Sequence, residues 1–426
     1  MDRLTKRLIV LSFDGLSTLD FEYIKSLPNF SEYIERSSYC RQVYSIYPTL
    51  TYPAHTTIVT GKYPKNHGVI NNTLLQPGRE SPDWYWHRKH VRVDTLYDLA
   101  IAKGMNTAAL LWPVTAGSRI RYNMPEIFAN RPWQNQIMVS LLNGSPYYQY
   151  NMNKRFGHLR KGIKQPNLDN FTHQSLLYTL RHHAPELILV HYTDLDTMRH
   201  YNGFHSPLAY EALQRHDIRL GEIVQLLKEM SIYEDSTLVV LGDHSSLDED
   251  KIINLNVLFK ENGWIKENGK GGIGYEVLCK NCDGSAYIYL KDKHDEQLKL
   301  QVRELIERFN DEHDCIETIY SAAEAEELGA DSNCSFMLEA QRGYYFLDDI
   351  DAPVIKQIRQ GEAGVVPHVT VNTHGYSPFK SDYTTVFMAA GKGIRKGVEL
   401  AKASLIDEGP TLARLWDWSL KIPMAE

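Results

Sequence analysis

The stretch Arg7-Leu8-Ile9-Val10-Leu11-Ser12-Phe13-Asp14-Gly15 decides the fold of this chain. Its nearly continuous apolar run is typical of a central parallel strand that is buried on both faces. The run ends at Asp14, so a carboxylate stands at the carboxyl end of the strand. Ligands of open α/β sheets bind beyond that end. Asp14 is therefore the first candidate for a functional residue.

Two further short apolar runs follow the same pattern. Leu187–Val190 precedes Asp196, and Ser236–Leu241 precedes Gly242-Asp243-His244. The carboxyl ends of parallel strands lie at one edge of a sheet, where ligands bind. We therefore expect Asp14, Asp196 and Asp243 to point to the same edge.

Segments with helical periodicity alternate with these runs. The pattern predicts a strand at Asn106–Trp112 and helices at Pro28–Arg36, Asp94–Lys103, Leu168–His183 and Pro207–Met230. This alternation indicates parallel βαβ units in a layered α/β fold. Residues 113–165 are aromatic and weakly periodic, and we predict long loops over a site there.

The character of the sequence changes near residue 250. We predict a helix at Leu255–Glu261, a Gly-rich stretch Asn268–Gly274, a strand at Ala286–Leu290, a helix at His294–Phe309, and strands near Ser335–Glu339 and Gly343–Phe346. Residues 251–365 are thus predicted to form a small inserted α+β subdomain. Residues 1–250 and 366–426 would form the core, to which the strand Thr384–Ala389 and the helix Leu405–Trp416 return.

Composition limits the class of protein. Apolar residues make up 43% and charged residues 23%, an ordinary balance for a soluble globular chain. The net charge of −7 indicates neither nucleic acid nor an anionic membrane as a partner. The apolar run Leu8–Phe13 is too short for a signal segment or a membrane span, and no later segment is long enough to span. No feature indicates an oligomeric state.

The five cysteines indicate a reducing compartment. An odd number with scattered spacing argues against a disulfide framework. Cys279 and Cys282 have the spacing of a zinc knuckle, but no second pair follows them, so a structural metal there is disfavoured. We therefore predict a cytoplasmic location.

The loop Tyr47-Pro48-Thr49-Leu50-Thr51-Tyr52-Pro53-Ala54-His55 delivers a hydroxyl to the start of a helix. Pro53 is a favoured first helical residue, and Gly61 is expected to end the helix after Thr60. Thr51 is thus predicted at or beside a helix N-terminus, which favours anions. Two interpretations remain open: Thr51 is an N-cap residue, or its hydroxyl is a nucleophile toward a phosphoryl or similar anionic centre.

Seven polar residues are predicted near the same sheet edge. They are Asp14, Thr51, Asp196, His200, Asp243, His244 and His374. Carboxylate and imidazole together suit zinc or a similar first-row divalent ion. Asp196 and His200 are four residues apart, so one helical turn would place both on one face. The set is too large for one tetrahedral ion and fits two, although each residue alone could be an ordinary surface or loop residue.

Six blocks of this sequence resemble the type I phosphodiesterase/nucleotide pyrophosphatase branch of the alkaline phosphatase superfamily. They are Ser12-Phe-Asp14-Gly15, Pro48-Thr-Leu-Thr51-Tyr-Pro-Ala-His55, Thr60-Gly-Lys-Tyr-Pro-Lys-Asn-His67-Gly68, Asp196-Thr-Met-Arg-His200, Gly242-Asp243-His244 and Thr373-His374-Gly375-Tyr376. They occur in family order across the predicted core. The resemblance implies an alkaline-phosphatase-like layered sandwich, with helices on both faces of a central, mostly parallel sheet.

The resemblance also implies two zinc sites, with manganese as the alternative metal. Asp196, His200 and His374 would hold one ion, and Asp14, Asp243, His244 and the Thr51 hydroxyl would hold the other. The second ion would lower the pKa of Thr51. Thr51 would then attack phosphorus in line, form a phospho-threonine intermediate, and be released by water. Asn72 matches the position whose amide holds a nonbridging phosphate oxygen, with help from the backbone near Thr51.

The sequence departs from the family pattern at several positions. Tyr52-Pro53-Ala54-His55 replaces the frequent Phe-Pro-Asn-His, and Thr-Met-Arg replaces Ser-x-Gly between Asp196 and His200. Arg199 therefore brings a positive charge beside the first metal. We expect its side chain to face solvent, and substrate contact is the alternative. Because a threonine occupies the nucleophile position and no sulfatase-type Cys-x-Pro-x-Arg is present, sulfate esters are disfavoured.

We predict a small-molecule phosphodiester or nucleotide pyrophosphate as the substrate. A dianionic monoester needs more positive charge than this site offers. Trp84-Tyr85-Trp86-His87 and Trp112 either stack on a base or belong to the core. A phosphomonoesterase or phosphonate hydrolase is the first alternative, and a metal-stabilised binding protein without catalysis is the second.

Overall fold

The Arg7–Phe13 run forms a strand of the central sheet, as its apolar pattern predicts. The computed structural model describes residues 3–79, 81–267, 272–359, 361–364, 369–418 and 420. The strands in these residues are β1 (Arg7–Phe13), β2 (Ser38–Tyr44), β3 (Thr107–Leu110), β4 (Tyr122–Met124), β5 (Leu187–Tyr192), β6 (Ser236–Leu241), β7 (Leu247–Asp248), β8 (Lys251–Ile253), β9 (Ile265–Glu267), β10 (Ile273–Tyr275), β11 (Val277–Cys282), β12 (Ser285–Leu290), β13 (Ile316–Ser321), β14 (Phe336–Ala340), β15 (Tyr344–Phe346), β16 (Ile355–Gln357), β17 (Asn372–Thr373), β18 (Thr385–Gly391), β19 (Glu399–Leu400) and β20 (Ala403–Ser404).

Helices connect most of the core strands. They are α1 (Phe21–Ser26), α2 (Pro28–Arg36), α3 (Thr51–Thr60), α4 (Pro64–His67), α5 (Leu96–Ala102), α6 (Gln136–Asn143), α7 (Pro146–Phe156), α8 (Asn167–His183), α9 (Asp194–Asn202), α10 (Pro207–Glu229), α11 (Leu255–Glu261), α12 (Glu296–His313), α13 (Ala322–Glu327) and α14 (Glu408–Arg414). Short 3₁₀ segments occur at Thr18–Asp20, Arg88–His90, Gly157–Leu159, Tyr233–Asp235 and Leu405–Asp407. Within the described residues, no helix combines the length and apolarity needed to cross a membrane.

The main sheet is mostly parallel. Its strands follow the order β19-β2-β18-β6-β1-β5-β3-β4, and β20 also pairs with β2. β1 runs parallel to both β5 and β6, and β3 runs parallel to β5 and β4. β18 lies antiparallel between β2 and β6, so the predicted return of the chain to the main sheet is confirmed.

Alternate residues of β1 pack against different layers of helices. Leu8 and Val10 share an apolar cluster with residues of α3, α5 and α14. Ile9, Leu11 and Phe13 share another with residues of α1, α2, α8 and α10. Because successive side chains of a strand point to opposite faces, helices cover both faces of the sheet. The predicted layered α/β architecture is confirmed.

A second, antiparallel sheet with the order β11-β12-β14-β13 lies in the region predicted to be an insertion. Residues of this sheet share an apolar cluster with α11 and α12. Leu247, Tyr376 and Tyr383, from the flanking sequence, belong to the same cluster. The division of the chain near residues 250 and 365 stays a prediction. The second boundary lies outside the described residues, as do residues 268–271 of the Gly-rich stretch.

The prediction of long loops for residues 113–165 is partly wrong, because β4, α6 and α7 lie there. In α6 the segment Gln136–Asn143 has apolar residues on several sides and none of its residues is buried. Helix α7 buries only Tyr148, Gln149 and Met152. Helix α6 is only eight residues long and α7 is mostly polar, so neither carries a helical period long or strong enough to be recognised in the sequence.

Candidate active site

Three carboxylates meet beyond the carboxyl ends of β1, β5 and β6. Asp14 directly follows β1, Asp243 lies two residues after β6, and Asp196 lies in the first turn of α9, which follows β5. All three side chains are buried. The Gly15 N–H donates to Asp243 Oδ1 at 3.1 Å, and a Cβ on Gly15 would lie 3.4 Å from Asp196 Cβ. The parallel strands therefore bring three acidic groups to one place.

Three histidines accompany these carboxylates, and the Nδ1 atom of each contacts a backbone carbonyl. The pairs are His200 with Asn372 at 2.7 Å, His374 with Thr49 at 3.0 Å, and His244 with Ser245 at 3.2 Å. Because a carbonyl oxygen only accepts hydrogen bonds, each Nδ1 carries a hydrogen. In the neutral ring, Nε2 is then the nitrogen that can bind a metal ion.

His244 lies at the centre of the site. Its Nε2 atom is 3.2 Å from Thr51 Oγ1, 3.3 Å from Asp14 Oδ1 and 3.2 Å from Asp243 Oδ2. Its ring stacks on that of His374, with 3.9 Å between the centroids. A nitrogen lone pair that faces two carboxylate oxygens is repelled unless a proton or a cation lies between them. The Thr51 hydroxyl points into the same space.

The predicted metal-binding residues form two adjoining groups. Their ligand atoms lie within 4.8 Å of one another in the sets Asp14, Asp243 and His244, and Asp196, His244 and His374. His200 is outside both sets, but its Nε2 atom is 3.0 Å from Asp196 Oδ2. The structure thus brings all seven predicted residues together, with His244 between the two groups. Their division between two ions stays a prediction.

Burial shifts the pKa values of the carboxyl groups and histidines at the centre of the site. Burial, and then the charges of Asp243 and Asp196, raises the pKa of Asp14 well above its usual value. Burial raises the pKa of Asp243 to about 6. Burial also lowers the pKa of His244 to about 4 and that of His374 well below its usual value. Both imidazoles are therefore neutral near pH 7, which is the form that binds metals.

His200 and Asp196 behave as an ion pair. Burial opposes charge on His200, but the carboxylate of Asp196 raises the pKa of this histidine to about 9. Burial likewise opposes charge on Asp196, and His200 lowers the pKa of that carboxyl. A divalent cation would have to displace the proton from His200 to bind its Nε2 atom.

Helix α3 begins at Thr51 itself, two residues before Pro53. Pro53 occupies the third helical position, where the missing N–H would have had no acceptor within the helix. Leu50 is the N-cap residue, and no side chain caps this end. The N-cap interpretation of Thr51 is therefore wrong, and its hydroxyl faces His244 instead. Gly61 ends the helix in the left-handed conformation, as predicted.

Asn72 lies beside the start of α3. Its Oδ1 atom accepts a hydrogen bond from the backbone N–H of Tyr52 at 2.9 Å. This contact holds the Asn72 side chain against the first turn of α3. The Tyr52 N–H belongs to the backbone near Thr51, which the resemblance implies assists Asn72 at the phosphate, and here it donates to Asn72. The role of Asn72 stays a prediction.

Two residues that contact the site carried no recognisable signal in the sequence. His191 Nε2 is 3.0 Å from Asp14 Oδ2, and His191 Nδ1 is 3.0 Å from Glu126 Oε2. A single histidine within the buried strand β5 has the pattern of a core residue. Glu126 is distant in sequence and lies in a segment that we predicted to be loop. Only the tertiary structure connects them to Asp14.

The expectation that Arg199 faces solvent is wrong. The side chain is 1% exposed, and its Nη2 atom donates to Asp20 Oδ1 at 2.5 Å. Its Nη1 atom donates to the Gly15 carbonyl, and its guanidinium lies 3.7 Å from the ring centroid of Phe204. Helix α9 therefore directs this charge into the core rather than toward solvent or substrate.

The aromatic residues near the site belong mainly to the core. Trp86 and Trp112 are buried. Trp112 packs edge-on against His55, with 4.8 Å between the ring centroids. Trp84 is partly buried and packs in the same way against Tyr52, at 5.1 Å. Of the two interpretations left open by the sequence, the core interpretation fits Trp86 and Trp112.

The cysteines do not form a zinc knuckle. Cys279 and Cys282 lie on β11 and pack into different apolar clusters. All five cysteines are free and buried. This agrees with the expectation of no disulfide framework, and the cytoplasmic location stays a prediction.

Comparison with known proteins shows the family to which this chain belongs. The model of the type I phosphodiesterase/nucleotide pyrophosphatase family matches residues 8–377. Human ectonucleotide pyrophosphatase/phosphodiesterase family member 5 is 24% identical over 259 residues, covering 59% of this chain and 47% of that protein. Human family member 1 is 26% identical over 253 residues, covering 55% and 23%. The chain thus matches about half or less of the length of these curated relatives.

Solved structures give the same fold. Murine ectonucleotide pyrophosphatase/phosphodiesterase 5, as an inactive threonine-to-alanine variant in complex with AMP, has a TM-score of 0.66 and 19% identity, covering 98% of this chain and 96% of that one. The human protein of the same name has a TM-score of 0.66 and 20% identity, covering 97% and 95%. The fold is therefore alkaline-phosphatase-like, as the resemblance implied. The chain belongs to the type I phosphodiesterase/nucleotide pyrophosphatase family.

Proposed function

We propose that this protein hydrolyses phosphodiester or nucleotide pyrophosphate bonds with Thr51 as the nucleophile. The observation that carries the proposal is the Thr51 hydroxyl at the start of α3, 3.2 Å from His244 Nε2 and beside three buried carboxylates. Membership of the family supports hydrolysis of such bonds. The AMP complex of the inactive murine relative, a threonine-to-alanine variant, supports a nucleotide substrate and a threonine nucleophile.

Two divalent cations fit the donor set. Oδ1 of Asp14, Oδ1 of Asp196 and Oδ2 of Asp243 are buried, and none forms a hydrogen bond within the described residues. Buried carboxylate oxygens need a donor or a cation, and carboxylates with neutral imidazoles are zinc ligands. Asp14, Thr51, Asp243 and His244 would hold one Zn²⁺, and Asp196, His200 and His374 the other, with Mn²⁺ as the alternative. When bound, the ions would lower the pKa of the attacking hydroxyl and stabilise charge on the attacking and leaving oxygens.

In this reaction Thr51 attacks the phosphorus atom, and Asn72 helps to orient the phosphate. Thr51 Oγ1 bonds to phosphorus as the bond from phosphorus to the leaving oxygen breaks. The hydroxyl proton passes to solvent, and the leaving oxygen takes a proton from water. The N-terminus of α3 and the Asn72 amide orient the nonbridging oxygens. Water then attacks phosphorus and the bond to Thr51 Oγ1 breaks, which releases a phosphomonoester, and a proton from solvent restores the Thr51 hydroxyl.

The charge around the site supports a diester rather than a monoester. A dianionic monoester needs additional positive charge at its terminal oxygens. Arg199, the cation that the sequence placed nearest to the site, is instead paired with Asp20 in the core. A monoanionic diester or a pyrophosphate ester therefore matches the site better than a monoester or a phosphonate.

Substitution of the nucleophile tests this proposal. Thr51→Ala should abolish hydrolysis of bis-p-nitrophenyl phosphate, and Thr51→Ser should retain part of it, because serine keeps the attacking hydroxyl. Metal analysis of the purified protein should find two equivalents. A clear preference for p-nitrophenyl phosphate would contradict the choice of a diester. Full activity in Thr51→Ala would exclude the threonine mechanism, and an inactive wild-type protein with two metals would favour the binding-protein alternative.

A further inference from the structure

The two carboxylate oxygens of Asp14 have different surroundings. Oδ2 accepts a hydrogen bond from His191 Nε2 at 3.0 Å. Oδ1 has no hydrogen-bond partner within the described residues and lies 3.3 Å from His244 Nε2. One oxygen is therefore held, and the other is directed into the candidate metal site.

The ring of His191 is itself held from the opposite side. Its Nδ1 atom is 3.0 Å from Glu126 Oε2 and 3.2 Å from the Leu111 carbonyl oxygen. The side chain is 1% exposed, and its ring lies 4.3 Å, centroid to centroid, from that of His55. Rotation of the imidazole would break contacts at both nitrogens and against His55. The ring orientation is therefore determined by groups outside the metal site.

The three residues come from separate parts of the main sheet. Glu126 lies two residues after β4, His191 lies within β5, and Asp14 directly follows β1. Residues that hydrogen-bond to metal ligands fix the geometry of those ligands, and their loss usually weakens metal binding 10- to 100-fold. Glu126, His191 and Asp14 are arranged in this way: His191 contacts the candidate ligand Asp14, and Glu126 contacts His191 from the other side.

We infer that Glu126 and His191 are positioning residues that hold Asp14 Oδ2 and present Asp14 Oδ1 as the single ligand atom to a divalent cation. The inference rests on the proposed metal-dependent function. It assigns to His191 and Glu126 a role that neither the family blocks nor the predicted metal set includes. Glu126 is 23% exposed and Asp14 is 4% exposed, so the arrangement connects the site to the surface.

Zinc affinity measured by chelator competition tests this inference directly. His191→Phe should weaken zinc binding about 10- to 100-fold. His191→Gln should recover part of that affinity, since its amide can still donate to Asp14. Glu126→Ala is a milder change near the surface. It should also weaken zinc binding, but less than His191→Phe does. The diesterase activity of each variant should fall at limiting zinc and recover at saturating zinc, which a general loss of folding would not produce.

His173 supplies a matched control. It is also a buried histidine, with Nε2 2.8 Å from Glu222 Oε2 and Nδ1 3.0 Å from the Tyr192 hydroxyl, and among the described residues it forms no hydrogen bond or ion pair with a candidate metal ligand. His173→Phe should therefore leave zinc affinity unchanged. Thermal unfolding of each metal-free variant would identify any loss that comes from misfolding.

The outcomes separate this inference from the proposed function. Zinc affinity within about threefold of wild type in both His191→Phe and Glu126→Ala would overturn the inference, as would an equal loss in His173→Phe. Diester hydrolysis by the wild-type protein would still stand in those cases. Conversely, a wild-type protein that binds zinc and cleaves no diester would refute the function, and a selective zinc defect in His191→Phe would still support the positioning role.

Discussion

Arg199 lies one residue before the candidate ligand His200, yet its side chain packs in the core and not in the metal site. Its guanidinium binds Asp20 and the Gly15 carbonyl in a fully buried setting. Gly15 directly follows Asp14, so the pair connects α9 to the loop that carries the first carboxylate. Removal of one partner from a buried ion pair leaves the other charge without compensation.

Arg199→Met should therefore lower the free energy of unfolding by about 3 kcal/mol, at the lower end of the range for broken buried pairs. The Michaelis constant for a diester substrate should not change in the folded enzyme, because the side chain does not face the site. Arg303→Met is the matched control: Arg303 and Glu307 form an exposed pair on α12, so its loss should cost less than about 1 kcal/mol. Urea unfolding measures both effects, and equal losses would contradict the role assigned to Arg199.

At the scale of elements, the β11–β12 hairpin positions the loop that carries His374. The Gly284 N–H at the hairpin turn donates to the His374 carbonyl at 2.8 Å. Gly375 has φ of +85°, and a Cβ there would lie 1.8 Å from the Cys282 carbonyl oxygen. The Gly375 N–H in turn donates to the Thr49 carbonyl at 3.1 Å. The second sheet thus contacts the loop that carries His374 directly through backbone atoms.

Gly375→Ala should both destabilise the protein and weaken metal binding, because the hairpin and the His374 loop would have to move apart. Gly104→Ala is the control, since Gly104 has φ of +74° with no atom within 4 Å of an added Cβ. Gly104→Ala should lower the free energy of unfolding by about 1–2 kcal/mol because of backbone strain alone. Gly375→Ala should lower it by about 1–3 kcal/mol more, because the added Cβ would overlap the Cys282 carbonyl. Thermal unfolding with and without zinc would show the difference, and identical behaviour of the two variants would refute the close contact.

At the scale of the whole molecule, the candidate site joins segments from both ends of the described chain. Asp14 follows the first strand of the sheet, whereas His374 lies shortly before β18. Burial, and then the negative charges of Asp243 and Asp196, raise the pKa of Asp14, so in the absence of a cation the three carboxylates repel one another. A bound cation would relieve this repulsion and connect the segments. Metal binding and folding stability should therefore be coupled.

Removal of metal by a chelator should lower the melting temperature by several degrees, and added zinc should restore it. A ligand at 100 times its dissociation constant stabilises the folded state by about 2.7 kcal/mol. Asp196→Asn should reduce the rise in melting temperature that zinc produces, because it removes a charged candidate ligand. Differential scanning fluorimetry measures the effect. A melting temperature that is the same with chelator and with zinc would exclude a structural contribution of the metal.

The sequence by itself determined the inner strands of the central sheet and the place of the acidic groups that follow them, but not the outer strands β2, β4, β19 and β20. The apolar runs of β1 and β6 and the residues that follow them are local patterns, and the positions of Asp14 and Asp243 follow from the shared direction of parallel strands. Helix α10 was equally clear, because its periodicity extends over many residues. Only the tertiary structure decided that Arg199 pairs with Asp20 and that Glu126 and His191 hold Asp14. These contacts depend on which distant side chains meet after folding, and such meetings leave no period or spacing in the sequence.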